Sequence, residues 1–392
     1  MSKTLPLMIL GLWAAFAPRP VAAQMWFESD YLFWGRANTS NQDYIRGGAS
    51  SGDANLGVAN GFRLVLGGGF GNYEVEAILS RINGWDGDGT QTFGLPIAFD
   101  GNAANTIVFP TGASSLAFNS GLALAASQSA ELSEAEFLIP TAAGTHAYSS
   151  DLRDIQVNFG SHRDLNWFRW GVGYREILIN ENGGFGMTGV FDALDVDDAA
   201  GPANPTNDDP NNGLGSAALG AAGFTTLSGG GGFNSIDPTV PSADGLTMLT
   251  NGMTENRLDG AQLTLAARTA PNEIVTIEGF LRTGLFYNRI NGAVHELLIG
   301  SGDANGIYGR TMSDSTAKAS FGLNPGIRTS FNLTDYISLT AGYEMLLLTG
   351  VGLGPDQFAN VQTNLLGAPT YKVEADGLFI GHGGNVGVEV RW

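Results

Sequence analysis

Residues 166–178 read NWFRWGVGYREIL. The even positions Phe168, Trp170, Val172, Tyr174 and Leu178 are bulky and apolar, while the odd ones include Arg169, Gly171, Gly173 and Arg175. A two-residue period is the period of a strand, so one face is oily and the other charged. Residues 336–348, YISLTAGYEMLLL, repeat the pattern, with Ile337, Leu339, Ala341, Tyr343, Met345 and Leu347 on one face and Ser338, Thr340, Gly342 and Glu344 on the other. The same holds at residues 385–392, NVGVEVRW, where Val386, Val388, Val390 and Trp392 oppose Asn385, Glu389 and Arg391.

Carrying this parity along the chain places Arg63, Arg169, Arg175, Arg282, Arg328 and Arg391 opposite the oily face. Glu74, Glu76, Glu278, Glu344 and Glu389 share that side. A sandwich core cannot hold so many charges, since each unpaired buried charge costs several kcal/mol. A barrel turned inside out can, with lipid outside and a polar interior. The pattern therefore predicts an all-β fold, a transmembrane antiparallel up-and-down β-barrel. Tryptophan and tyrosine near strand ends form interfacial girdles in such barrels, and Trp26, Tyr31, Phe33, Trp34, Tyr287 and Trp392 are assigned to them.

Ten runs alternate: 26–34, 61–67, 73–82, 154–161, 166–180, 258–268, 274–288, 321–331, 336–349 and 378–392. Short links and long polar ones, 35–57, 83–150, 181–256, 289–315 and 350–377, take strict turns between them. Tight turns at one end and long loops at the other are the mark of outer-membrane barrels, with the turns periplasmic and the loops extracellular. Both termini then lie in the periplasm, and the last strand must pair with the first so that no edge stays open in lipid. A further hairpin inside 83–150 or 289–315 would raise the count to twelve. At ten strands the interior is about wide enough to be filled by side chains, whereas ~16–18 strands leave an aqueous channel.

The N-terminus fits export. Lys3 precedes an apolar run over 5–16, and Val21, Ala22 and Ala23 stand before Gln24, so residues 1–23 read as a cleaved signal peptide and 24–392 as the barrel domain. No segment approaches the ~18–20 uninterrupted apolar residues of a membrane helix. The net charge of −19 becomes −21 once Lys3 and Arg19 leave, which argues against nucleic acid as a partner. The chain has no cysteine, so neither a disulfide scaffold nor a thiolate metal site is open to it.

Other motifs point to no chemistry. The acidic run with Asp192, Asp195, Asp197, Asp198, Asp208 and Asp209 offers hard oxygen ligands, but not at the spacing of a calcium loop, and reads as a solvated surface loop. His146, His162, His295 and His382 are scattered, and the SGGGGF run at 228–233 lacks the ending of a phosphate loop. The expectation is therefore no enzyme, no cofactor and no metal.

Five stretches together resemble landmarks of the beta-barrel porin 7 family of bacterial outer-membrane proteins: WFESDYLFWGR, RWGVGYREILINE, NRLDGAQLTLAAR, LTDYISLTAGYEMLLLTGVGLGPDQFAN and the closing GHGGNVGVEVRW. Pro355 stands directly before Asp356 in GLGPDQ, a departure from the family's pattern that touches the local loop geometry. The resemblance implies an outer-membrane barrel with porin-like use. On that expectation the inward Arg and Glu residues line a passive channel or filter for small hydrophilic solutes. The alternative is a closed barrel that anchors long loops for adhesion, packing or surface-layer contact, alone or as a homo-oligomer or packed array. Trp392 resembles the terminal aromatic signal read by barrel-assembly machinery.

Overall fold

Each of the ten alternating runs is a strand, and the ten close on themselves. In chain order they are β1 (Met25–Ala37), β2 (Val58–Phe70), β3 (Tyr73–Thr92), β4 (Ala143–Ser161) and β5 (Phe168–Ala193), then β6 (Gly245–Arg268), β7 (Val275–Ser301), β8 (Ile307–Asn332), β9 (Ile337–Val351) and β10 (Gly377–Arg391). The computed structural model describes residues 24–44, 50–92, 97–99, 114–115, 136–140, 143–162, 167–193, 213–214, 216–229, 233–234, 245–269, 274–301, 306–362 and 369–392. The leader 1–23 and the acidic positions 195–209 lie outside the described residues.

Every strand pairs antiparallel with its neighbours in the chain. Closure is made by β10 on β1, from Trp26 opposite Arg391 to Ala37 opposite Ile380. Main-chain bonds between Met25 and Trp392, 2.9 and 3.0 Å, continue that seam to the last residue. The count is ten, so the twelve-strand alternative is not realised. Two residues join β2 to β3, and Gly71 takes φ of 61° there, a value that a side chain would disfavour.

The strands run further than the alternation indicates. β3 continues past Ile82 to Thr92, β4 starts at Ala143, β5 reaches Ala193, and β6 begins at Gly245. β7 and β8 are separated by only 302–306, so most of the expected loop 289–315 is wall. Beyond the apolar band the outer face turns polar or small, as at Ser149 and Asp151, while the inner face carries large buried groups such as Tyr148, Phe185 and Leu298. The oily side thus changes face, yet the ladder of backbone hydrogen bonds still favours pairing.

The faces follow the parity. Leu281, Leu285, Ile327, Tyr343, Val386 and Val388 are exposed outside, part of an apolar band far larger than the patches of soluble proteins. Two aromatic assignments are corrected. Trp26 and Trp34, 1% and 5% exposed, share the inward parity of Glu28 and Asp30 and do not belong to a girdle. The Trp26 indole lies over Gly67, where a Cβ would come within 2.0 Å of the ring. The short-turn rim carries aromatics instead in Trp167, Tyr336 and Trp392, with Tyr73 stacked on Phe159 at 5.4 Å.

Candidate functional site

The site that the charged parity points to is the barrel interior, and its arginines are locked to carboxylates. On β2, Arg63 reaches Asp30 at 2.5 Å and Glu344 at 2.6 Å, bridging β1 and β9. Arg282 approaches the same Glu344 at 3.6 Å. Arg169 spans Glu74 (3.0 Å) and Glu278 (2.6 Å), joining β3 to β7 across the lumen. Arg328 holds Glu28 and Glu389, both at 2.8 Å, and Arg391 pairs with Glu389 as well. Arg175 meets Asp154 at 2.8 Å, while Glu76 accepts from Asn158 at 3.3 Å. All eleven residues singled out by parity thus face inward, and each has an ion-pair or hydrogen-bond partner there.

Three further carboxylates, absent from the eleven, partner these arginines: Glu28, Asp30 and Asp154. The signal was present, since Glu28 and Asp30 alternate with Phe27, Tyr31 and Phe33, and Asp154 with Ile155 and Val157. Breaking one partner of such a buried pair is far costlier than the pair's net stabilisation, and Arg63, Arg169, Arg175, Arg282 and Arg328 each tie their strand to at least one other.

Toward the long-loop end the charged stack gives way to an apolar layer. Leu32, Trp34, Ile82, Leu152, Ile177 and Leu346 are buried there inside the barrel. Above it lies another buried cation, Arg36, bonded to the Tyr148 hydroxyl at 2.7 Å and to Glu181 at 3.0 Å. Its guanidinium also stacks over the Tyr148 and Phe379 rings, at 4.9 and 5.0 Å.

The chain itself closes this end. Residues 352–362 and 369–374, with 38–44 and 50–56, fold back into the mouth. The Gly352 carbonyl accepts from Thr254 (2.7 Å) and Asn256 (2.8 Å), and its amide donates to Asn256 at 2.6 Å. Gln357 is fully buried and satisfied, donating to the Leu353 and Glu374 carbonyls and accepting from the Tyr371 hydroxyl and the Glu374 amide. Tyr44 stacks on Phe185 at 5.1 Å and leans on Phe358. The wall yields to the plug where β5 and β6 carry glycine: a Cβ on Gly183 would meet Pro355 at 2.5 Å, and one on Gly252 the Gly354 carbonyl at 2.3 Å. Pro355, the departure in GLGPDQ, is therefore the residue that fits against Gly183.

Asp356 sits at the base of this plug and accepts from the Ser40 hydroxyl at 2.5 Å. Burial pushes its carboxyl above the usual aspartate range, with the Ser40 bond pulling the other way.

Little free space remains. Two cavities in the charged stack hold about 30 and 20 Å³, enough for a water or so each. A vestibule of about 500 Å³ opens at the short-turn end beside Arg169, Arg268, Arg328, Arg391, Glu278 and Glu389. The histidines stay apart: His146 lies beside Tyr44, His295 bonds Thr311, and His382 bonds Tyr343 on the outer face. Among the described residues no three ligating side chains converge for a metal.

No protein-family model matches the chain, and no curated protein matches it. Among solved structures it is similar to the outer-membrane protease OmpT from Escherichia coli, at 7% identity and a TM-score of 0.38, over 96% of this chain and 99% of that one. The toluene transporter TbuX of Ralstonia pickettii matches at 10% identity and a TM-score of 0.25, over 95% and 90%. An anion-selective porin from Comamonas acidovorans matches at 10% identity and 0.20, over 95% and 99%. These three barrels have different activities, and likeness at this level assigns none of them to this chain.

Proposed function

We propose that the protein is an outer-membrane barrel whose lumen is closed and whose role is to hold its tall wall and long loops at the cell surface. Both termini and the tight turns face the periplasm in this reading, and the loops face outward. The observation that carries it is the filled interior. An Arg/carboxylate stack, an apolar layer and an inward-folded plug follow one another along the axis, and the largest void inside the stack holds about 30 Å³. Solutes larger than water have no path through such a column without moving buried ion pairs. Surface-layer contact, adhesion or packing among copies are uses that need no open lumen, and no catalytic step is part of this reading.

Planar-bilayer recording tests it. The purified protein at high load is expected to leave the membrane electrically tight. Ohmic steps whose size follows salt concentration would overturn the closed reading.

A solute filter is the second reading, favoured by one observation: the interior is charged where an anchor needs only to be filled. It is the use implied by the resemblance to the porin 7 family. Under it, the plug is a removable constriction, and the wild-type protein itself conducts.

A further inference from the structure

Four arginines stand side by side on the outside of the wall. Arg81 on β3 lies directly opposite Arg153 on β4, and Arg257 on β6 directly opposite Arg289 on β7. Leu178 on β5 links the two pairs, facing Arg153 on one side and Arg257 on the other. Like charges directly opposite on one face of a sheet repel, so this row is an arrangement the fold tolerates rather than one that stabilises it. Two carboxylates answer it in part from the side of the apolar band. Glu176 lies 3.2 Å from both Arg153 and Arg257; Asp259 lies 3.7 Å from Arg257 and pairs with Arg289. Within the row four guanidinium groups face two carboxylates, whereas the groove beyond is lined by Asp86, Asp151, Glu255 and Asp314, so the excess of positive charge is confined to the row itself.

Position gives the row its meaning. On the short-turn side the same strands expose Leu79, Val157, Tyr174, Leu263 and Leu285, the apolar band. On the other side the wall is hollowed into a groove of about 860 Å³, whose lining includes Asp151, Asn180, Glu255, Asn291 and His295. Cations thus sit at the edge of the hydrocarbon, with a pocket rich in donors and acceptors directly beyond. The guanidinium groups stay about half exposed while Glu176 is nearly buried, so they keep that partner and turn their remaining N–H donors to a phosphate, which they bind in the bidentate manner.

We infer that the row and groove bind the phosphorylated sugar headgroup of a glycolipid in the surrounding leaflet. Phosphate oxygens lie on Arg153 and Arg257, sugar hydroxyls fill the groove, and the acyl chains run down the band over Tyr174 and Leu263. The inference rests on the proposed orientation, in which the long-loop end meets the outer leaflet.

The test uses the purified full chain in a non-ionic detergent. It is titrated with a bis-phosphorylated glucosamine disaccharide lipid, the dephosphorylated form of that lipid, and phosphatidylglycerol, and bound lipid is counted by native mass spectrometry. One phosphorylated glycolipid is expected to be retained, at least tenfold tighter than either control. The double variant R153Q/R257Q should lose tenfold or more of that affinity, and R81Q/R289Q should show the same direction of change, both keeping the gel mobility shift of a folded barrel on heating. Equal retention of phosphatidylglycerol, or affinity unchanged in both variants, overturns the inference. Micelles have no leaflets, so the outcome is independent of whether the lumen conducts. Ohmic steps in the bilayer recording would overturn the closed-lumen reading alone.

Discussion

Arg63 shows why single residues matter in a charged interior. It alone stands between Asp30 and Glu344, at 2.5 and 2.6 Å. Arg63→Ala leaves two carboxylates buried with one fewer cation, and the expected loss is about 3–5 kcal/mol. Thermal unfolding in detergent, followed by the gel shift of the heated barrel, measures it; a loss under about 1 kcal/mol would contradict the lattice. Asp356 gives a pH dependence. Its carboxyl is raised in the folded plug, so the stabilisation it contributes is fully present below the ordinary aspartate range and is lost as pH rises through the raised value. Protection of the 350–374 segment from protease should therefore grow on acidification, and Asp356→Asn should flatten that dependence. A steeper dependence in the variant would contradict the assignment.

At the scale of elements, the plug is held by shape as much as by bonds. Gly252 on β6 leaves the space that the Gly354 carbonyl and the Phe358 ring occupy, the ring being 2.9 Å from where a Cβ would stand. Gly252→Val is expected to expel residues 352–362 from the mouth without opening the barrel. Cleavage by added protease within that segment, beside an unchanged strand signal in circular dichroism, would register it. The strands themselves were legible in sequence because lipid on one side and charge on the other impose a strict period. The plug was not legible. Its residues, GLGPDQ among them, carry no period, and their partners Gly183 and Gly252 lie far away in the chain. The overrun of β3 to β8 into expected loops escaped reading because beyond the lipid the outer face turns polar or small and the oily side passes to the inner face, against the plug.

On the whole molecule, the apolar band makes a depth-dependent prediction. Leu281 lies midway along the outward apolar run of β7, whereas Ser313 on β8 lies beyond the band at the long-loop end. Leu281→Arg is expected to cost about 2–4 kcal/mol in lipid and Ser313→Arg close to none. Equal effects from both, measured by unfolding in vesicles, would mean that the band is not where the bilayer sits. Closure concerns the whole barrel as well. Trp392 finishes the seam with Met25, and Trp392→Ala should lower insertion into membranes by assembly machinery while the inserted fraction keeps its stability; normal insertion would count against its role as a signal.

Sequence by itself pointed to the barrel, to about ten strands with twelve left open, and to the lipid face of most of them, because a two-residue period with many charges on one side and long loops at only one end suits a barrel with a polar interior. It also named most of the interior lattice, since parity alone selects those arginines and glutamates. Only the tertiary structure decided which carboxylate each arginine takes, that Trp26 and Trp34 turn inward, and that the mouth is closed by the chain's own segments. Those outcomes depend on register and close approach between residues tens to hundreds of positions apart, as between Arg63 and Glu344. The arginine row outside arose the same way: four residues spread from 81 to 289 become neighbours only when the strands are laid side by side.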